Sequence, residues 1–134
     1  SIVPRRLVDL ITTRSILEKV WDDTARRYVS FIELYKVPLK VAIYSEVERQ
    51  AMGRAAEDWS EFMIVAVSKE KYPDKAVINM TNPTRIVAEL AAVEANMPRI
   101  IALKAGLEAP RRCEKCNYCR STKVLSQVIQ YSVG

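Results

Sequence analysis

Residues 61–68, with the sequence EFMIVAVS, contain the longest apolar run of the chain, from Phe62 to Val67. An apolar run of this length without polar alternation favours a strand that is buried on both faces. A charged turn that contains Pro73 follows at 69–75, and the apolar segment 76–80 predicts a second strand. The two segments are therefore expected to pair as a hairpin.

Upstream of this hairpin, residues 2–11 predict another strand, because Ile, Val and Leu residues surround Asp9 there. Thr12 and Thr13 are expected to end that strand.

A helix is predicted over 15–34, since Ser15 can cap it and Glu18 completes a capping box three residues later. Trp21 and Tyr28 fall on the apolar stripe of this helix at helical spacing. Trp21 and Tyr28 are two helical turns apart, so they would lie on the same face of this helix.

Two further helices are predicted over 38–52 and 83–105, each with an apolar stripe at helical spacing. Thr81 or Asn82 can cap the second of these. Pro98 lies inside it, and proline in a helix interior is expected to kink the helix or to break it in two.

These elements predict a mixed α/β fold in which a small mixed sheet carries flanking helices. The length of 134 residues favours a single domain over 1–134, with a cysteine-bearing loop and tail at 107–134. Because three short strands make little sheet, the chain is expected to be part of a larger α/β fold or half of a dimer.

Composition and charge exclude several classes of protein. The chain has 21 Lys and Arg against 16 Asp and Glu, a net charge of +5 that is compatible with a nucleic-acid partner. The absence of histidine excludes Ser-His-Asp and Cys-His catalysis and every zinc site that uses imidazole. We expect an intracellular protein, since the first residues lack the apolar core of a signal peptide.

All three cysteines of the chain lie in one short segment with the spacing C-x2-C-x2-C. Cys113, Cys116 and Cys119 could bind one zinc ion or one face of an iron–sulfur cluster, and a disulfide or three free thiols are the alternatives. A fourth ligand would come from Glu114 or another carboxylate, from a second chain or from solvent. The basic residues that flank the cluster are expected to lower the pKa values of the thiols. They are Arg111, Arg112, Lys115 and Arg120.

Three segments resemble the PD-(D/E)XK nuclease superfamily. VDLITTRS at 8–15 is similar to the Asp-Leu-Lys-Thr segment of these nucleases, and LKVAIYSE at 39–46 is similar to the Gln-x-x-x-Tyr helix of the RecB-type branch. The segment 96–125 resembles the C-terminus of phage and prophage exonuclease-like members. In the branches that carry a cluster, three such cysteines join one far upstream to hold a four-iron–four-sulfur cluster.

The resemblance implies a truncated fold, the C-terminal half of the family core, with a degenerate active site. Asp9 matches the second metal-binding carboxylate, and the first one is expected before residue 1. The family's lysine position is occupied by Ile11, which carries no charge. Lys40 stands at the glutamine position and Tyr44 matches the tyrosine, so Lys40 could replace the lost lysine from the helix.

The resulting hypothesis is an inactive phage or prophage protein that binds nucleic acid or a protein, in the cytoplasm of a bacterial host. An inhibitor of a host nucleic-acid-directed defence would be one form of it. One alternative is a Mg²⁺-dependent DNA exonuclease that uses Asp9, Lys40 and Tyr44, with a carboxylate supplied by another chain. A further alternative is a structural domain held by its metal. The predicted nucleic-acid contacts are Lys40, Arg111, Arg112, Lys115 and Arg120.

A homodimer or a protein partner is also expected. The apolar segment 61–68 calls for cover on both faces, and the predicted helices cover one face well and the other only in part. An open sheet edge would remain beside the strand around Asp9, and exposed edges are rarely left uncovered.

Overall fold

The computed structural model describes residues 5–132 and contains five strands and four helices in that range. In chain order they are β1 (Arg6–Thr13), β2 (Val20–Asp22), β3 (Arg27–Val29), α1 (Phe31–Leu34), α2 (Val37–Ala51), β4 (Glu61–Ser68), β5 (Lys75–Asn79), α3 (Pro83–Lys104) and α4 (Asn117–Ser121). The predicted mixed α/β fold, with a small mixed sheet and flanking helices, is confirmed.

The main sheet has the strand order β1-β4-β5. β4 pairs antiparallel with β5, which confirms the predicted hairpin, and it pairs parallel with β1 in a register that sets Asp9 beside Ile64. The prediction that the first strand ends before Thr12 was wrong, because β1 continues through Thr13. The predicted start of that strand, at residues 2–4, lies outside the described residues.

The two faces of this sheet differ in burial. The inner face packs under α1 and α2 around a core formed by Phe31, Val37, Val41, Phe62, Ile64 and Ala66. On the outer face Val8, Leu10 and Val77 are 64%, 66% and 72% exposed. Burial therefore alternates along β4, whose outward residues are only half-buried, and the prediction of a strand buried on both faces was wrong.

The predicted helix over 15–34 was also wrong. Its place is taken by an antiparallel hairpin of β2 and β3, in which Trp21 pairs with Tyr28, followed by the short α1. The two rings meet edge to face with centroids 5.3 Å apart. Ser15 Oγ does accept the predicted hydrogen bond from the backbone N–H of Glu18, but no helix follows this turn.

The remaining two predicted helices are confirmed as α2 and α3, and α3 packs against α2. Asn82 caps α3 by accepting a hydrogen bond from the backbone N–H of Arg85. Pro98 does not break α3, which runs unbroken for 22 residues. This part of the helix is exposed, so water can reach the carbonyl of Glu94 that Pro98 leaves without a donor.

Across the part of the chain that the structure describes, every helix is too short or too polar to span a lipid bilayer.

Candidate functional site

Asp9 lies on the inner face of β1, between the apolar side chains of Leu7 and Ile11 that pack against the core. A half-buried carboxylate on an apolar face needs a partner. α2 supplies it, because Lys40 Nζ donates a hydrogen bond to Asp9 Oδ2 at 2.5 Å. The structure thus brings two of the residues predicted for the site into direct contact.

The third predicted residue, Tyr44, lies one helical turn after Lys40 on the same face of α2. Lys40 Nζ is 5.5 Å from the centroid of the Tyr44 ring, within cation–π distance. The hydrogen bond to Asp9 raises the pKa of Lys40, so this amine stays protonated near neutral pH. Lys40 can therefore attract an anion but cannot act there as a general base.

Asp9 and Tyr44 open onto a shallow cleft whose walls are mostly apolar. Glu48 lines the same cleft, four residues after Tyr44, and was missed in the sequence analysis. Its spacing of i+4 from Tyr44 and i+8 from Lys40 is the signal that could have found it. A hydrogen bond from Arg54 lowers the pKa of Glu48, which is thus held ionised.

The described residues of this cleft do not fit a Mg²⁺ ion by themselves. Mg²⁺ needs near-octahedral oxygen ligands and gives up its water reluctantly. The cleft offers the carboxylates of Asp9 and Glu48, and each already has a cationic partner, Lys40 and Arg54 respectively. In this cleft Lys40 is hydrogen-bonded to Asp9 Oδ2, so its ammonium lies beside an oxygen that a metal ion would use.

The cysteines form a second cluster, around the start of α4. The three Sγ atoms all lie within 4.8 Å of one another, and those of Cys113 and Cys119 are 3.7 Å apart. The Cys113 Sγ accepts a hydrogen bond from the backbone N–H of Cys116, and the Cys116 Sγ accepts one from the backbone N–H of Cys119. This pattern turns backbone donors toward sulfur, as a thiolate requires.

Backbone amides, rather than the flanking basic side chains, account for the acidity of Cys113. Hydrogen bonds from the backbone N–H groups of Lys115 and Cys116 lower the pKa of the Cys113 thiol to about 6. Glu114 adopts a left-handed conformation, with φ of 59°, in the turn that brings these amides round to the sulfur. The predicted lowering of the thiol pKa values therefore holds for Cys113, with backbone amides as its cause, but it was wrong for Cys116. The backbone N–H of Cys119 acts to lower the pKa of Cys116, but the side-chain hydrogen bonds with Cys113 and Cys119 raise it.

The distances fit a tetrahedral thiolate site. With Zn–S bonds of about 2.3 Å, two ligand sulfurs are separated by about 3.8 Å, close to the 3.7 Å between Cys113 and Cys119. All three thiols are free in this structure, so the alternative disulfide is not formed. Glu114, one candidate for a fourth ligand, pairs with Arg112 at 3.0 Å.

The basic residues around this cluster differ in their surroundings. Arg111 is 80% exposed at its side chain, whereas Arg112 donates hydrogen bonds to the Cys119 carbonyl and to Thr122 Oγ1. Arg120 lies 3.4 Å from Asn117 Oδ1. Arg112 therefore braces the cysteine loop. The nucleic-acid contacts predicted for Arg111, Arg112, Lys115 and Arg120 stay predictions.

Comparison with known proteins shows the family. Residues 1–122 match the model of a family described as a PDDEXK-like domain of unknown function (DUF3799). A crystal structure of a "Putative exonuclease" from Eubacterium rectale is similar to this chain, with 32% identity and a TM-score of 0.70. The similarity covers 97% of this chain and 47% of that one, so the chain spans about half the length of this relative. No curated protein matches the sequence. The match over most of its length shows that the chain belongs to the family of PDDEXK-like domains.

Proposed function

We propose that this exonuclease-type PDDEXK-like domain binds nucleic acid through Lys40 and Tyr44, with Asp9 holding the Lys40 ammonium in place, and that the chain by itself does not hydrolyse it. The observation that carries the proposal is the contact of Lys40 Nζ with Asp9 Oδ2 at 2.5 Å. This contact holds a charged ammonium beside Asp9, which is one of the residues that line the cleft. The Lys40 side chain is still 39% exposed there, so a phosphate oxygen can approach it.

Tyr44 supports a nucleic-acid ligand over a simple anion. Tyr44 is exposed, and the Lys40 ammonium lies over the Tyr44 ring. An exposed aromatic ring next to a cation can stack on a base while the cation contacts the backbone. The net charge of +5 adds a long-range attraction to polyanions.

The lack of hydrolysis follows from the charge of the cleft. Metal-dependent phosphodiester cleavage requires divalent ions held between carboxylates. Both carboxylates of this cleft, Asp9 and Glu48, are already ion-paired. Lys40 competes with a metal ion for Asp9 Oδ2, and a single carboxylate is a poor Mg²⁺ site.

Fluorescence anisotropy with labelled single-stranded DNA, duplex DNA and matching RNA tests the proposal. Binding should persist in EDTA and weaken with salt, and Lys40→Ala should reduce the salt slope by about one ion. Lys71→Ala, in the exposed turn between β4 and β5, is the control and should have less effect. Binding that is absent for all three probes, or equally affected by both variants, would contradict the proposal.

Cleavage of the same probes is measured with Mg²⁺ and with Mn²⁺. We expect none. Cleavage that disappears in Lys40→Ala would show that the domain is an active nuclease, which is the alternative function predicted from the sequence. Cleavage that survives in Lys40→Ala would point to a contaminating enzyme.

We also propose that Cys113, Cys116 and Cys119 bind a metal, as zinc or as an iron–sulfur cluster. The sulfur geometry and the backbone N–H donors support this proposal. Metal binding should order the cysteine loop and the tail, which have few other contacts to fix them. Metal analysis and an absorption spectrum of protein purified without oxygen distinguish the two metals. Less than about a tenth of an equivalent of either, with three titratable thiols, would contradict the proposal.

The phage origin, the host cytoplasm and the inhibition of a host defence stay predictions from the sequence. Association with a second copy is supported by the exposed outer face of the sheet.

A further inference from the structure

The β2–β3 hairpin carries two aromatic rings on the side that faces solvent. Trp21 and Tyr28 lie directly opposite each other in the hairpin register, so both rings belong to one face. They are 43% and 65% exposed. Asp22 and Val29, the next residue along each strand, are buried and therefore mark the opposite face, which packs on the rest of the fold. The described part of the chain thus leaves this pair of rings accessible.

The charges around the rings are arranged unequally. Asp22 is buried and accepts hydrogen bonds from the turn, and Asp23 Oδ1 accepts one from the Trp21 indole at 3.0 Å. Both carboxylates of the hairpin are therefore engaged within it. Its three cations are exposed, and none of them forms an ion pair with a described carboxylate; they are Lys19, Arg26 and Arg27.

Arg26 has a backbone conformation that favours glycine. Its φ is 55°, in the left-handed region, and its backbone N–H donates a hydrogen bond to the Asp22 carbonyl at 2.7 Å, which closes the turn. A side chain at this φ strains the backbone, so glycine would suit the turn better than arginine does. What arginine adds is a cation, because its guanidinium carbon lies 5.8 Å from the centroid of the Trp21 ring.

We propose that Trp21, Arg26 and Tyr28 form a second contact site for nucleic acid, distinct from the Lys40 cleft and selective for single strands. An unpaired base stacks on the exposed Tyr28 ring, and Arg26 contacts the adjoining phosphate. In a duplex the faces of the bases are covered by their neighbours, so this site cannot use them. The inference rests on the proposed function for its class of ligand, nucleic acid, and adds the preference for a single strand.

A polyanion fits this face better than another protein surface does. A protein that covered the rings would also remove Arg26 from water, and a buried charge without a partner is costly. A phosphate supplies that partner, since a guanidinium binds phosphate oxygens through paired N–H donors. A second copy of the chain does not, because its net charge is also positive. Charge complementarity therefore favours a nucleic-acid strand.

Tyr28→Leu tests the stacking, with Tyr72→Leu as the matched control. Tyr72 is also exposed and lies 5.5 Å from Lys71 Nζ at its ring centroid, but among the described residues it has no second ring beside it. In anisotropy titrations with single-stranded DNA, Tyr28→Leu should weaken binding by about tenfold, the loss expected for one stacked base. It should leave duplex binding unchanged, and Tyr72→Leu should change neither. Equal losses in both variants, or an equal loss on the duplex, would overturn the inference.

The emission of Trp21 shows whether a base reaches the rings. The chain has two tryptophans, so Trp59→Phe leaves Trp21 as the reporter. A single-stranded thymidine oligomer should quench this emission, whereas an abasic oligomer of the same length, which keeps the phosphates, should quench it less. The reciprocal Trp21→Phe variant should lose the quenching, so the assignment does not depend on how well Trp59→Phe folds.

Two results of this measurement would overturn the inference. Equal quenching by the abasic oligomer would show that charge alone acts at the rings. Emission that changes with protein concentration in the absence of nucleic acid would assign the face to a second copy.

Arg26→Gly separates binding from stability. Glycine adopts this φ without strain, so the unfolding midpoint in urea should stay the same or rise. Binding of single-stranded DNA should weaken, and its salt dependence should decrease by about one ion. Unchanged binding, whatever the midpoint, would show that Arg26 serves the turn alone and would overturn the inference.

The same titrations let the two proposals fail separately. Binding that depends on Tyr28 but not on Lys40 would overturn the proposed function and support this site. Binding that depends on Lys40, with no quenching of Trp21, would overturn this site and support the proposed function.

Discussion

Lys40 Nζ lies 2.5 Å from Asp9 Oδ2, although the two residues are 31 positions apart in the sequence and belong to different layers of the fold. The parallel pairing of β1 with β4 fixes Asp9 on the inner face, and α2 crosses that face. Asp9 therefore neutralises the cation that we propose to bind phosphate. The affinity of the cleft for an anion should depend on how much of the Lys40 charge Asp9 cancels.

Asp9→Asn should accordingly strengthen the binding of DNA in EDTA. The substitution keeps a hydrogen-bonding oxygen near Lys40 but removes the negative charge that repels phosphate. An effect of about 1 kcal/mol, roughly fivefold in affinity, is expected for one charge in this partly exposed site. Anisotropy titrations at fixed salt measure it. Glu70→Gln, in the exposed turn between β4 and β5, removes the same charge elsewhere and should have less effect. Weaker binding by Asp9→Asn would show that Asp9 contacts the ligand.

The sequence predicted the β4–β5 hairpin because a continuous apolar run and a charged turn with proline leave few alternatives. The helix that the sequence predicted over 15–34 was wrong, because the apolar residues there match both the helical period and the strand period. Trp21 and Tyr28 are two helical turns apart, but a short turn also sets them opposite each other in a hairpin. Asp22 decides for the hairpin, because its Oδ1 accepts hydrogen bonds from the backbone N–H groups of Thr24 and Ala25.

The site was predictable to the extent that it follows motifs. Asp9, Lys40 and Tyr44 came from the resemblance, and the structure brings them together. Their contact could not be read from the sequence, since it depends on how α2 crosses the sheet. The same holds for Glu48, whose place in the cleft appears only once the helix is packed.

Glu46 should make the stability of the chain sensitive to acid. It accepts hydrogen bonds from the Arg49 guanidinium, Gln50 and the Trp59 indole, and these lower the pKa of Glu46 from 4.5 to about 2. A carboxyl group with a lowered pKa stabilises the folded state above pH 4.5, and this contribution is lost as the pH falls from about 4.5 to about 2.

Glu46→Gln should therefore flatten the decrease in unfolding free energy over this pH window. In the wild-type chain, acid should remove a Glu46 contribution to the unfolding free energy on the order of 2 kcal/mol. This value is reduced because solvent still reaches the Glu46 side chain. Urea unfolding at several pH values measures it, and Glu70→Gln in the exposed β4–β5 turn is the control. An acid limb that stays equally steep in Glu46→Gln would contradict the assignment to Glu46.

Ser45→Ala should stabilise the domain by about 1 kcal/mol. Ser45 is fully buried in α2, and within the described part of the chain its Oγ has no hydrogen-bond partner. Alanine removes the cost of desolvating this hydroxyl and is the better helix former. Ser60 provides the contrast, since it is also buried but its Oγ lies within hydrogen-bonding distance of Arg54 and Glu48. Ser60→Ala should destabilise, and equal signs for the two substitutions would contradict this account.

Association with a second copy should be visible in solution. Among the described strands β1 pairs with β4 alone, so its other edge is open, and Val8, Leu10 and Val77 form an exposed apolar face beside it. A second copy could bury about 800 Å² per partner on this face, the usual size of a specific interface.

Light scattering at micromolar concentration should give about twice the 15.3 kDa chain mass. Leu10→Lys with Val77→Lys should halve that value, whereas Val87→Lys on α3 should not. A 15.3 kDa species with a cooperative melt that is unchanged on dilution would show instead that one copy of the chain is stable alone.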